Sequence, residues 1–569
     1  MSRPTPATLA APVRSDVRAA LEAALADAIA ARRLPELPAE AASPPDVARP
    51  ANPEHGDYAS NLALKLARPL RRPPLAIAEA VVESLRSASP DGLPAGGGLF
   101  VSVEVAPPGF INLTLSPRWL ERRLDAARIA GPDFGRLRAA DPRHVNVEFV
   151  SANPTGPLHI GNARGAFVGD LLCRVLEGGG HQVTREYYFN DSGTQVDHLG
   201  ASVLALREGR EVPEDGYKGD YVADLARELP GDVLAAATAP GAQAARVVGR
   251  WASERVREGI EASLARLGVR FDVWRTEGTL HSEGWVERAV ERLRAGGHIY
   301  EQDGATWFRS TALGDDKDRV VYRSDGRPTY FAADIGYLVD KFERGFDELV
   351  YIWGADHHGT VARVRNAAEA MGYDKARVRM LLVAWVRFVR DGREISMSKR
   401  SGEFITLDEL LAEVGVDAAR WFFASRAAST GIDFDIELAK RQSNENPVYY
   451  VQYAHARIAS ILRKAKATGI SAAESLGGLL DDEVALGMAK AVLRLPEVVE
   501  DAAASEETQG LTAYATELAT TFHAFYRDRR VVDADDPATS ARRLALVDAV
   551  RLSLANTLAL LGISAPESM

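Results

Sequence analysis

A chain of 569 residues that is 46% hydrophobic can bury several cores, and at about 100 to 200 residues per domain it reads as three or four domains rather than one. Its formal charge of −11 excludes a uniform electrostatic grip on a polyanion, so a nucleic-acid partner must meet local basic patches. The single cysteine, Cys173, excludes a disulfide framework and argues against a thiolate zinc site, which points to a reducing, cytoplasmic setting.

At the N-terminus, Arg14, Asp16, Arg18, Glu22 and Asp27 interrupt any apolar run, so no cleaved leader is expected. Val17, Leu21, Leu25 and Ile29 recur every four residues after Ser15, which predicts an amphipathic surface helix with Ser15 as its N-cap. Stretches 38–57 and 87–98 are rich in Pro, Gly, Ala and Ser and flank predicted helices at 58–70 and 75–86. Strands at 99–105 and 111–115 follow, joined by Ala106-Pro107-Pro108-Gly109, which makes residues 1–117 a small α+β domain.

Residues 144–150 are apolar and β-branched enough for a buried strand, a helical pattern runs from His159 to Leu176, and a second strand covers 182–189. With 348–353 and 378–389 as later parallel strands, the economical fold is α/β, a doubly wound parallel, Rossmann-like domain over 118–405. A mostly helical insertion is expected at about 200–320. After Leu407 strand signals largely vanish, giving a connecting helical segment at 406–446. Helices at 447–465, 481–494, 511–526 and 541–561 then make 447–569 an all-α bundle. No stretch approaches the roughly 20 apolar residues that span a bilayer.

Ligands of open α/β sheets bind beyond the carboxyl ends of the strands, where Pro157-Leu158-His159-Ile160-Gly161-Asn162 falls between the first strand and its helix. Gly156, Pro157 and Gly161 permit close backbone approach, the helix start favours polyphosphate, and His159 and Asn162 can donate to phosphoryl oxygens. Downstream, Arg393-Glu394-Ile395-Ser396-Met397-Ser398-Lys399-Arg400-Ser401-Gly402 suits a loop that closes over a triphosphate, with Lys399 and Arg400 as its cations. A third segment, Trp353-Gly354-Ala355-Asp356-His357-His358-Gly359, leads from a strand end through a glycine turn into a helix at the same edge. Each alone has a bland explanation as a tight turn or a solvated loop; their combination and order do not.

The first segment resembles the HIGH signature of class I aminoacyl-tRNA synthetases, the second their KMSKS loop, and the third their adenosine-binding region. Asn162 stands where the family has a second histidine and Ser396 where it has a leading lysine, which removes two potential cations. The resemblance implies a carboxylate attacking the α-phosphorus of ATP, helped by positioning and charge stabilisation. His159, Asn162 and Lys399 would be catalytic. ATP would be held by Gly156, Pro157, His159, Gly161, Asn162, Gly354, Asp356, His357, Met397, Ser398, Lys399 and Arg400, as a substrate with Mg²⁺ and without zinc or another protein-bound metal.

Within that class, the stretch from Val147 to His159, Asp191-Ser192-Gly193-Thr194-Gln195, and Thr329-Tyr330-Phe331-Ala332-Ala333-Asp334-Ile335 resemble arginyl-tRNA synthetases. That implies an arginine pocket of Glu148, Ser151, Asn153, Tyr330, Asp334 and His357, with Glu148 and Asp334 supplying acidity for a planar guanidinium. Gly56-Asp57-Tyr58-Ala59-Ser60-Asn61-Leu62-Ala63 and Gly109-Phe110-Ile111-Asn112-Leu113 resemble the extra N-terminal domain that this family places against the tRNA elbow. The segment from Asn446 to Arg457 resembles the start of its anticodon-binding bundle, which implies tRNA contacts at Tyr449, Tyr453, Arg457 and Arg527, rings beside cations that suit splayed bases.

The resemblance therefore implies an arginine–tRNA ligase that activates L-arginine with ATP and transfers it to the 3′-terminal ribose of tRNA(Arg). It implies further that activation needs bound tRNA. A cytoplasmic monomer without a membrane partner is expected. Two rivals are weaker: a cysteinyl or glutamyl synthetase lacks support from zinc cysteines, and a non-enzymatic tRNA-binding paralogue is opposed by the retained His159 and Lys399.

Overall fold

The computed structural model describes residues 11–41, 43–87, 98–191, 193–395 and 406–569. The chain begins with α1 (Val13–Ala30), β1 (Tyr58–Ser60), α2 (Leu62–Leu70), α3 (Pro74–Ser87), β2 (Phe100–Ala106) and β3 (Phe110–Leu115). The three strands form an antiparallel sheet in the order β1-β3-β2. Two expectations change here. Helix α1 starts after Pro12, not at Ser15, and buries Val13, Val17, Leu21, Ala24 and Ala28, because a strict four-residue stripe drifts around a 3.6-residue helix. Tyr58 to Ser60, expected to be helical, pairs as a strand with Leu113, Asn112 and Ile111.

Helix α4 (Pro117–Ala130) leads into the central domain. There the chain runs through β4 (His144–Glu148), α5 (Ile160–Gly178), β5 (Gln182–Phe189), α6 (Thr194–Arg207), α7 (Asp220–Glu228), α8 (Gly231–Ala237), α9 (Ala244–Arg266) and β6 (Val273–Thr276). It continues with α10 (Glu277–Ser282), α11 (Trp285–Ala295), β7 (Ile299–Gln302), β8 (Ala305–Phe308), β9 (Arg319–Tyr322), α12 (Tyr330–Glu343), β10 (Glu348–Gly354), α13 (His358–Ala370) and β11 (Val378–Val383). Five parallel strands stand in the order β11-β10-β4-β5-β6, so β4 is central and its loop opens at the middle of the carboxyl edge.

The stretch near 200–320 is more than a helical insertion: β6 completes the main sheet, and β7 to β9 form a separate antiparallel sheet. These strands are only four residues each, too short for a clear alternation. Residues 378–389 are also two strands rather than one. The chain breaks at Ala384 and Trp385, and β12 (Val386–Arg390) pairs antiparallel with β13 (Arg393–Glu394) in another sheet.

Beyond the second motif come α14 (Leu407–Val414), α15 (Val416–Ala424), β14 (Ile432–Asp435), which pairs parallel with β12, and α16 (Ile436–Lys440). The remainder is helical: α17 (Pro447–Ala467), α18 (Glu483–Val492), α19 (Leu495–Ser505), α20 (Gln509–Asp528) and α21 (Pro537–Leu561). Helix α19 was not expected from the sequence; it buries Leu495, Val499 and Ala502, and Pro496 is tolerated because it lies in the first turn. Contrary to the expectation that no stretch is apolar enough, α21 has the length and composition to cross a bilayer, yet 61% of its apolar window is buried among other helices.

Two buried charges join the domains. Glu497 on α19 accepts hydrogen bonds from Arg49 Nε at 3.0 Å, the Arg14 backbone N–H at 3.0 Å and the Tyr58 hydroxyl, and Lys490 pairs with Asp57 at 2.6 Å. Arg420 on α15 donates to the carbonyls of Leu267 and Leu561, both at 2.8 Å, and pairs with Asp170 on α5. Its guanidinium thus caps the C-terminal ends of α9 and α21, where carbonyls lack helical partners, and ties both to α5.

Candidate active site

The site starts where β4 ends. Val150 and Ser151 have φ of 68° and 42°, conformations that are rare for non-glycine residues and costly for a β-branched one, on the order of 1–3 kcal/mol each. The Ser151 N–H reaches the Phe149 carbonyl at 2.9 Å, closing a tight turn. That turn brings the Ser151 hydroxyl back to donate to Glu148 at 3.0 Å, while the Tyr188 N–H donates to the same hydroxyl at 3.2 Å. The following loop is held by Tyr187, whose hydroxyl bonds both the Ala152 carbonyl at 2.9 Å and the Ala152 N–H at 3.1 Å, and by Tyr221, which donates to the Thr155 carbonyl at 2.9 Å.

His159 is the N-cap of α5. Its Nδ1 accepts from the Gly161 N–H at 3.0 Å, and Asn162 Oδ1 accepts from the His159 N–H at 3.3 Å, a reciprocal capping box. An accepting Nδ1 carries no hydrogen, so in the neutral ring the hydrogen sits on Nε2. Asn162 therefore has a structural task, and its oxygen is committed to the cap. Gly156, Pro157 and Gly161 lie around this turn, with Gly156 backed by the Tyr221 ring.

The second motif's Ser396, Met397, Ser398, Lys399 and Arg400 lie outside the described residues. Their flanks are informative. On one side the Ile395 N–H bonds the Phe388 carbonyl at 2.9 Å; on the other, Thr406 forms a β-bridge with His159, and the Leu407 N–H donates to the Leu158 carbonyl at 3.1 Å. Thr406 and Leu407 thus lie directly against the start of α5.

Behind the strained turn is a cavity of about 310 Å³, at the lower end of ordinary ligand pockets, between β4, α12 and the end of β10. Glu148, Ser151, Asp334, Gly354 and His357 line it. Asn153 and Tyr330 do not. Asn153 is exposed and links its loop to the start of α6 and to the residue after β5, donating to Gln195 at 2.8 Å and accepting from the Asn190 N–H at 3.2 Å. Tyr330, at the start of α12, is 72% exposed. Asp356 is also exposed, with His357 Nε2 3.6 Å from its carboxylate.

The electrostatics divide the acids into two kinds. Glu148 is 4% exposed and pairs with the fully buried Lys341, whose Nζ lies 2.7 Å from Oε2 and over the rings of Tyr337 and Tyr351. Glu186, behind it, is buried, but hydrogen bonds from Arg344 at 2.7 and 2.8 Å outweigh burial and hold its carboxyl below the usual range. Among the described residues, no such cation pairs with Asp334. Burial first, then the nearby carboxylates of Glu148 and Glu277, push its carboxyl up to about 7. Glu277, at the start of α10, is likewise raised by burial and accepts from the Tyr188 hydroxyl at 3.3 Å. A cation entering the cavity would relieve Asp334, which lines it; Glu277 lies outside the lining, with His281 Nε2 3.8 Å from its carboxylate.

Lys341, Tyr337, Tyr188 and Glu277 were not singled out from the sequence. For two of them a signal existed: Asp334, Tyr337 and Lys341 stand at i, i+3 and i+7 on one face of α12. Glu277 follows a four-residue strand and carries no local mark.

In the helical bundle, Tyr449, Tyr453 and Arg457 fall in one row on α17. The two tyrosine rings stack at 6.4 Å, and the Arg457 guanidinium lies 5.8 Å from the Tyr453 ring and 4.3 Å from that of Tyr526. Arg527 stands apart from this stack, exposed and paired with Asp528 at 2.8 Å.

Three family models match the chain. They are the arginyl tRNA synthetase N terminal domain over residues 15–115, the class I (R) tRNA synthetase catalytic domain over 131–214 and 248–427, and the DALR anticodon binding domain over 451–569. The chain is 47% identical over 532 residues to an arginine–tRNA ligase of Syntrophotalea carbinolica, covering 91% of this chain and 94% of that one. It is 46% identical over 561 residues to an arginine–tRNA ligase of Moorella thermoacetica, with coverages of 96% and 98%. Among solved structures, the Thermus thermophilus arginyl-tRNA synthetase aligns with a TM-score of 0.73 at 25% identity, over 97% of this chain and 100% of the other.

Proposed function

We infer the workings of this site from the family to which the chain belongs: it is a member of the class I arginyl-tRNA synthetases, an arginine–tRNA ligase. Arginine enters the cavity behind the β4 turn with its guanidinium toward Asp334. The observation that carries this is the contrast among the acids that line the cavity: Glu148 already holds Lys341, whereas among the described residues no cation pairs with Asp334, and burial together with Glu148 and Glu277 pushes its carboxyl up to about 7. A planar guanidinium can bond two carboxylates in fixed directions, which an ammonium cannot reproduce.

ATP binds as its magnesium complex, with its triphosphate at the start of α5. The Nε2–H of His159 is placed to donate to phosphoryl oxygens because Nδ1 is occupied by the helix cap. Lys399 and Arg400 close from the other side. The arginine carboxylate attacks the α-phosphorus, pyrophosphate leaves, and the 3′-terminal ribose hydroxyl of tRNA(Arg) then attacks the carbonyl and releases AMP.

The Tyr449, Tyr453 and Arg457 stack supports base contacts by the bundle, and the α+β domain meets the body of the tRNA. The enzyme works as a cytoplasmic monomer, in units of about 1–117, 118–405, 406–446 and 447–569. Activation depends on bound tRNA. Arginine-dependent exchange between pyrophosphate and ATP, with and without tRNA(Arg), tests this: exchange should need the tRNA, and full exchange without it would refute the dependence.

A further inference from the structure

Two tyrosine hydroxyls hold the backbone of the loop that leads from β4 into His159 and α5. One, Tyr187, belongs to the main sheet. The other, Tyr221, comes from α7, in the inserted part of the chain, and donates to the Thr155 carbonyl at 2.9 Å. Its ring also backs Gly156, where a Cβ would stand 3.3 Å from the hydroxyl oxygen and 3.4 Å from Cζ.

Tyr221 is itself anchored. The segment before α7 is fixed to α6, because the Tyr217 N–H donates to Ser202 Oγ at 2.9 Å and that buried hydroxyl donates to the His198 carbonyl at 2.7 Å. His198 Nε2 lies 3.3 Å from Asp215 in the same segment. Helix α6 in turn crosses α9 at backbone contact: a Cβ on Gly200 would fall 1.9 Å from the Ala245 carbonyl oxygen, and one on Gly249 2.2 Å from that of Val196. The start of α6 meets the same loop, where Asn153 donates to Gln195 at 2.8 Å. One closely packed pair of helices thus braces the loop at two points.

A trans peptide is planar, with its C=O and N–H on opposite sides. Holding the Thr155 carbonyl toward α7 therefore turns the Gly156 N–H away from it, and among the described residues none accepts from that N–H. We propose that Tyr221 is a positioning residue for adenylate formation, acting through the Thr155–Gly156 peptide on the loop that leads into His159. The inference rests on placing the triphosphate at the start of α5. Precise placement matters there, since a displacement of about 1 Å can slow a reaction about 10²-fold.

The test is kinetic. Tyr221→Phe removes the hydroxyl and keeps the ring, and should lower kcat for arginine-dependent exchange between pyrophosphate and ATP, with tRNA(Arg) present, about three- to tenfold, the size of one hydrogen bond. The KM values for arginine and tRNA should stay within about twofold of the parent. Tyr221→Ala, which also removes the ring behind Gly156, should lower kcat about 10²-fold. Tyr514→Phe is the control: it removes a buried hydroxyl that donates to the Val492 carbonyl at 3.1 Å in the helical bundle, and should leave kcat at the parent value. A loss in Tyr221→Phe smaller than about threefold, a loss matched by Tyr514→Phe, or a change confined to the KM for arginine or tRNA overturns the proposal. Failure of the parent enzyme to charge tRNA with arginine would instead overturn the functional reading beneath it.

Discussion

Lys341 and Glu148 form a buried ion pair, Nζ to Oε2 at 2.7 Å, with the lysine closed to solvent and stacked over Tyr337 and Tyr351. The pair fills one acidic position of the cavity with a cation of the protein itself. Asp334 lines the same cavity and, among the described residues, has no such cation.

Removing the lysine should therefore hurt folding more than chemistry. Lys341→Met leaves the buried Glu148 carboxylate without its cation and should cost about 3–5 kcal/mol, read as a lower midpoint in denaturant unfolding. Adding Glu148→Gln to it should restore a large part of that loss. A Lys341→Met enzyme as stable as its parent would mean that the pair is not a buried one.

Asp334 should control arginine recognition and its pH dependence. Asp334→Asn is expected to raise the KM for arginine far more than that for ATP; equal effects would remove Asp334 from the pocket. With its carboxyl pushed up to about 7 by burial and by Glu148 and Glu277, Asp334 in the empty enzyme should carry, below that pH, a proton that arginine must displace. Arginine affinity should fall by up to about tenfold per pH unit below 7, and Asp334→Asn should flatten that dependence. Because the folded value lies above the unfolded one, this group's contribution to the stability of the empty enzyme is fully present below about 4 and is lost as pH rises through 7.

His159 carries two roles that substitution can separate. His159→Asn retains a side chain suited to capping α5 but loses the Nε2 donor, and should lower adenylate formation about 10²- to 10³-fold with little change in stability. His159→Ala should lose the same activity and about 1 kcal/mol of stability besides. Equal pyrophosphate exchange by His159→Asn and the parent would exclude the phosphate role.

For Lys399, in the segment outside the described residues, Lys399→Ala should slow adenylate formation while the affinity for tRNA is kept. Unchanged exchange kinetics would move the phosphate role to Arg400 or Arg393.

What could be read from the sequence followed from local pattern. The β4 to α5 to β5 unit has its strand, turn and helix signals within one continuous stretch, so His159 and its neighbours could be placed at the sheet's carboxyl edge. Pairings across long separations could not be read. Glu148 and Lys341 are 193 residues apart, and nothing near Glu148 shows that a lysine neutralises it. Asn153 and Tyr330 have the residue types of a polar pocket, yet one ties its loop to the start of α6 and the other faces solvent. Continuous apolar runs hid two boundaries. The break at Ala384 and Trp385 has no Gly or Pro to mark it, and the strand Tyr58–Ser60 merges into the apolar pattern of α2.

The most direct measurement is aminoacylation of tRNA with each of the twenty amino acids in turn. The account predicts product with arginine alone, dependent on ATP and abolished or nearly so in Asp334→Asn at low arginine. Charging with another amino acid, or no product with arginine, would contradict it.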